Sequence, residues 1–114
     1  MRFHHMAIFV SDLDEAIYLW RDVMGFELIL RKNLPDGPKA SSKTYNYPEL
    51  LDDIFKVKGA RSEMAILRSK EGALIELQYC EVPAIKKTDP KTLRYGHTGF
   101  HELGLLVEDI DSFF

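Results

Sequence analysis

Four side chains in this sequence have types suited to chemistry: His5 near the N-terminus, Glu76 in the middle of an apolar run, and the adjacent His101 and Glu102. Imidazole nitrogen and carboxylate oxygen together suit divalent first-row ions such as Zn, Ni, Co, Mn or Fe(II). Two histidines and a carboxylate with open coordination positions can polarise a substrate oxygen or bind dioxygen. The four residues are far apart in the chain, so spacing alone does not make them a site. Each also has a structural alternative. His5 could be a hydrogen-bonded residue at a strand end, and Glu76 a carboxylate on a solvated sheet face, or one paired with Arg61 or Arg68. His4 and His97 read as surface residues. Cys80 reads as a small buried hydrophobe, since nothing in the sequence supplies the electropositive surroundings of a reactive thiol.

The elements that must position these residues follow from periodicity. Residues 3–10 alternate as a strand, with Phe3, His5, Ala7 and Phe9 on one face and His4, Met6, Ile8 and Val10 on the other. Both faces are largely apolar, which predicts a strand covered on both sides. Ser11-Asp12 offers helix-capping oxygens, and Asp14 and Glu15 follow where the helix dipole favours negative charge. Leu13, Ala16, Ile17, Trp20 and Met24 recur at helical steps, and Gly25 supplies the stop. Residues 26–34 predict a second strand, with Phe26, Leu28 and Leu30 sharing a face.

Residues 34–48 break the pattern with Pro35-Asp36-Gly37-Pro38, a long insertion of the kind that forms a lid or a solvated loop. Tyr45 and Tyr47 could close over a ligand there. Pro48 suits the first turn of a short helix with Leu50, Leu51, Ile54 and Phe55 on its buried face and Gly59 at its close. Residues 61–69 and 73–80 predict a hairpin about Glu71-Gly72. In its second strand Leu74, Glu76, Gln78 and Cys80 lie on one side. Residues 82–99 read as a polar linker. Residues 100–107 predict a further strand, and residues 109–112 the start of a second helix.

The order is strand, helix, strand, insertion, strand, strand, then the beginning of a repeat. It predicts an α+β fold: a βαβββ module over residues 1–82, a linker over 83–99, and the start of a second, truncated module over 100–114, all within one domain. A chain of 114 residues, 46% apolar and 29% charged, supports one compact domain with a modest core. Its net charge of −3 without a basic block argues against a nucleic-acid partner. No apolar run approaches the ~20 residues that span a bilayer, and no h-region marks a secretory signal. With one cysteine, a disulfide framework is excluded and a reducing, cytoplasmic setting expected.

The segments His5-Met6-Ala7-Ile8-Phe9-Val10-Ser11-Asp12-Leu13, Leu19-Trp20-Arg21-Asp22-Val23-Met24-Gly25-Phe26 and Ile75-Glu76-Leu77-Gln78-Tyr79 together resemble the vicinal oxygen chelate superfamily. That superfamily includes glyoxalase I, epimerases, extradiol dioxygenases and the bleomycin-resistance proteins. The resemblance implies paired βαβββ modules cupped around a divalent metal, with ligands from the first and last strand of each module. His5 matches the first-strand ligand and Glu76 the last-strand ligand.

For the second module, counting back from Val107 and Asp109 by the steps that separate His5 from Val10 and Asp12 lands on Glu102. By residue type His101 is the usual ligand, and a bulge would bring it inward. Glu102 is preferred on register, as ligand or catalytic base, and both are kept. The function so implied is a metal-dependent lyase or isomerase acting on a small carbonyl or carboxylate substrate through an enediolate. The alternatives are an Fe(II) extradiol dioxygenase and a non-catalytic drug-binding protein. The partner implied is a small-molecule substrate; the shortened second module, with its unpaired sheet and terminal aromatics, predicts either a homodimer in which the first-module sheets meet or a fragment of a longer protein.

Overall fold

The computed structural model describes residues 1–113 of the chain; Phe114, at the end of the predicted second module, lies outside them. Four strands form one sheet in the order β1-β4-β3-β2, with β1 His5–Phe9, β2 Glu27–Leu34, β3 Arg61–Arg68 and β4 Leu74–Val82. β2, β3 and β4 are antiparallel neighbours, and β1 runs parallel to β4 at the edge. This is the α+β, βαβββ arrangement that the order of elements predicts.

Helix α1, Leu13–Tyr18, begins where Asp12 accepts a hydrogen bond from the Glu15 N–H at 3.0 Å. A π-helical turn, Leu19–Val23, extends it and closes with the Met24 N–H on the Leu19 carbonyl. Gly25 then turns the chain at φ +80, a conformation that penalises a side chain. The predicted stripe is realised: Leu13, Ile17 and Trp20 are buried against Ala65, Leu67, Ile75 and Leu77, with Ala16 and Met24 packed beside them. Full burial of a leucine here contributes about 2 kcal/mol before chain entropy is counted. Trp20 also meets the Phe26 ring edge-on at 5.1 Å between centroids.

β1 is not covered on both sides. Met6 and Ile8 pack against the α1 layer, whereas His5, Ala7 and Phe9 face outward, Phe9 being 54% exposed. β2 also departs from simple alternation. The ladder to β3 shifts between Leu28 and Leu30, so Leu28 joins the α1 layer and Leu30 packs in a second cluster with Leu34, Leu51, Ala60 and Met64. A single extra residue reverses every later side chain.

Helix α2, Pro48–Phe55, covers part of this second face. Leu51 is buried and Phe55 packs on the cluster, but Ile54 is exposed. The helix ends at Lys56, in the left-handed conformation at φ 54, three residues before the predicted Gly59.

The insertion between β2 and α2 is pinned from within. Asp36 accepts hydrogen bonds from the Lys32 ammonium at 2.9 Å, the Asn46 N–H at 2.9 Å and the Tyr45 N–H at 3.0 Å. Its side chain is 6% exposed. Lys32 also lies 4.8 Å from the centre of the Tyr45 ring, a cation–π contact.

Residues 83–107 form no strand. A 3₁₀ turn, Pro90–Leu93, and a last short helix α3, Ile110–Phe113, are the only regular elements described after β4. The strand predicted at residues 100–107 is therefore absent. Its backbone joins no ladder, and Leu105 and Leu106 stand exposed. Strand-type sequence alone does not make a strand; here the segment pairs with neither sheet edge, β1 or β2. No helix among the described residues is long and apolar enough to cross a membrane.

Burial alone would raise the Asp36 carboxyl, but Lys32 and the two backbone N–H groups outweigh it and hold it at about 2, below the usual 3.8. The carboxylate's stabilising effect is thus complete above pH 3.8 and fades as pH falls through 2. Asp36→Ala is expected to lower stability in urea by about 2 kcal/mol at neutral pH and to speed amide exchange at Tyr45 and Asn46. The difference from wild type should shrink on acidification from pH 4 toward pH 2.

Candidate functional site

His5 and Glu76 meet on the sheet face opposite α1, which α2 covers only in part. His5 opens β1, and Glu76 lies opposite Ala7 in the parallel β1–β4 ladder. Alternation puts Ala7, His5 and Glu76 on one side, so the two long side chains reach each other diagonally. The His5 Nε2 stands 3.3 Å from the Glu76 Oε2, with the glutamate side chain 16% exposed and the histidine 42%. The arginines that could have neutralised Glu76 are engaged elsewhere: Arg61 with Glu81 at 3.8 Å and Arg68 with Glu27 at 3.3 Å.

Two further residues complete the surroundings, and neither was singled out from the sequence as part of a site. Gln78, also on the open side of β4, donates from Nε2 to the Glu76 Oε1 at 2.5 Å. Next to His5, the His4 Nδ1 lies 2.7 Å from the His5 Nδ1. The same-face i, i+2 spacing of Glu76 and Gln78 was a readable signal. The His4 contact was not, because alternation places His4 and His5 on opposite faces of the strand.

The acceptor character of Glu76 favours one tautomer of neutral His5. A carboxylate only accepts, so the nitrogen facing Glu76 carries hydrogen. The His5 Nδ1 is then an acceptor, and His4 must supply the Nδ1–H between the rings.

The donor set fits a divalent cation. Two ligands each about 2.1 Å from an ion, at octahedral to tetrahedral angles, are themselves about 3.0–3.4 Å apart. The His5–Glu76 separation of 3.3 Å falls in that interval. The residues named from the sequence for the other half stand elsewhere. The His101 Nε2 meets the His97 carbonyl at 2.5 Å, and its ring is tilted against Tyr95. Glu102 accepts the Tyr95 hydroxyl, whose pKa is raised by the neighbouring carboxylate. Among the described residues no group of three or more His, Cys, Asp or Glu side chains converges as a metal site. Cys80 is buried, and burial pushes its thiol up, away from reactivity.

A family profile described as the Glyoxalase/Bleomycin resistance protein/Dioxygenase superfamily matches residues 4–114. Among solved structures the chain is similar to a glyoxalase family protein from Bacillus cereus. They share a TM-score of 0.76 and 24% identity over 99% of this chain and 67% of the Bacillus protein. At that identity the likeness establishes the fold. No curated protein matches the sequence significantly.

The proton arrangement can be read directly. Long-range ¹H–¹⁵N correlation spectra of metal-free protein at pH 8 are expected to show His5 as the Nε2–H tautomer and His4 as the Nδ1–H tautomer. Glu76→Leu should abolish the preference at His5.

Proposed function

Because the chain belongs to the Glyoxalase/Bleomycin resistance protein/Dioxygenase superfamily, we propose that it works as a metal-dependent lyase or isomerase of the glyoxalase and epimerase kind, moving a proton next to the carbonyl or carboxylate of a small substrate. One observation carries this reading: an imidazole and a carboxylate from the first and last strand of the module meet at 3.3 Å on the sheet face opposite α1, while Arg61 and Arg68 are paired with Glu81 and Glu27 instead.

A divalent ion held there would supply Lewis acidity toward two substrate oxygens. The rest falls to the chain. His5 Nε2, after giving up its proton, and Glu76 Oε2 would hold the ion, and the Glu76 charge would offset part of the ion's own. Glu102 serves as a further ligand or as the base that takes a proton from the substrate carbon, with His101 as its competitor for the ligand position. Both are tied here to Tyr95 and His97, and in this reading they would act in an assembled pair of chains, with a second copy completing the donor set. The exposed Leu105 and Leu106 suit burial in that assembly. The pinned insertion forms a rim, and its exposed Lys39 and Lys43 draw in an anionic substrate end.

Protein purified without chelator is expected to carry about one divalent ion per protomer by mass spectrometric metal analysis. His5→Ala and Glu76→Gln should each weaken the affinity about 100-fold while leaving the circular dichroism unchanged. A protein without metal, whose residual affinity His5→Ala does not lower, would sink the lyase reading and the iron dioxygenase alternative together, leaving a binding module. Light scattering is expected to give a dimer at micromolar concentration; a stable monomer there would remove the shared-site part of the proposal.

A further inference from the structure

Gln78 carries a cost that packing does not explain. It is 8% exposed in the middle of β4, opposite Phe9 on one side and Met64 on the other. One end of its amide donates to the Glu76 Oε1 at 2.5 Å. The other end, Oε1, is buried and has no hydrogen-bond partner among the described residues. Buried acceptors are nearly always paired, and leaving one unpaired is unfavourable. Turning the amide over would not help, because its oxygen would then face a carboxylate. A methionine or leucine would suit the neighbours better, if packing were all that this position had to satisfy.

We propose that Gln78 is the positioning residue of the His5–Glu76 centre. It clamps one oxygen of Glu76, which fixes the carboxylate's rotation and leaves Oε2 as the oxygen presented toward His5. Ion ligands are held by such neighbours, and loss of one weakens affinity by about 10- to 100-fold. A free carboxylate would turn about its last bond and offer either oxygen or both. The orphaned Gln78 carbonyl is the structural cost of having a donor placed beside Glu76. This role rests on the metal-centre reading above and narrows it, because it names Oε2 as the single coordinating oxygen.

The test compares wild type, Gln78→Met, Glu76→Gln and His5→Ala, titrated with zinc and cobalt(II) by calorimetry and followed by thermal melts. Methionine keeps the volume and removes both polar ends. The expected result is a 10- to 100-fold weaker ion affinity in Gln78→Met, with a melting temperature equal to or above wild type, since the unpaired acceptor has gone. A purely structural role would move the two readouts the other way, lowering the melting temperature and leaving affinity alone. If Gln78→Met binds as wild type does while His5→Ala and Glu76→Gln lose affinity, the positioning role is overturned and the metal centre stands. If wild type itself binds neither ion, the metal centre falls and this role with it. Should Gln78→Met fail to fold, wild-type protein decides: the Gln78 side-chain amide protons are expected to shift on zinc titration, and unmoved signals overturn the proposal.

Discussion

Alternation along β4 is the constraint on which the site and the core both depend. Ile75 and Leu77 are buried against α1 with Tyr79 packed beside them. The same pleat turns Glu76 and Gln78 to the opposite side, where His5 waits on β1. The residues that bury apolar surface thus also hold the polar ones in register. A one-residue slip of β4 would send Glu76 into the α1 layer, where an unpaired carboxylate is costly, and expose Leu77. The core therefore selects the only register in which the centre can assemble.

Charged groups secure the periphery of this arrangement in two different ways. Arg31 on β2 spans from a bidentate pair with Glu63 on β3 to Asp14 at the start of α1. It lies at the surface, where such pairs contribute little singly and more as a network. Asp36 is instead enclosed and fully satisfied by an ammonium and two backbone donors. It replaces the regular hydrogen bonding that residues 35–47 lack, so a segment without strands or helices still holds a defined shape.

Local pattern and long-range pairing divided what could be read from the chain. The α1 stripe, its Asp12 cap, the Gly25 stop, the β3–β4 hairpin and the shared face of Glu76 and Gln78 are set within a few residues, and periodicity finds them. The bulge in β2 is not local in this sense. It depends on how Leu28 and Leu30 meet Leu67 and Ile66 across the ladder, and simple counting put both leucines on one face. Residues 100–107 carry strand-type sequence, yet they pair with neither edge of the sheet and form no strand, because strand propensity depends on context more than on local pattern. Of the candidate residues, His5 and Glu76 come together, while His101 and Glu102 lie in a local cluster with Tyr95 and His97. The His4 contact emerged only once the three-dimensional neighbours were known, whereas the place of Gln78 beside Glu76 was legible in the alternation of β4.

The parallel pairing of β1 with β4 has a consequence for folding. The first and last strands of the module are the two that must meet, and no hairpin brings them together. Their contact closes the longest loop in the module, and its entropy is spent before any of that ladder is gained. The β3–β4 hairpin and the α1 turns can form early, but the His5–Glu76 pair exists only once β1 has joined β4. Any ligand of that pair binds the finished module and nothing less. It would hold the closed sheet by mass action, in proportion to the logarithm of its concentration over its dissociation constant. Chain closure and site formation are then one cooperative event.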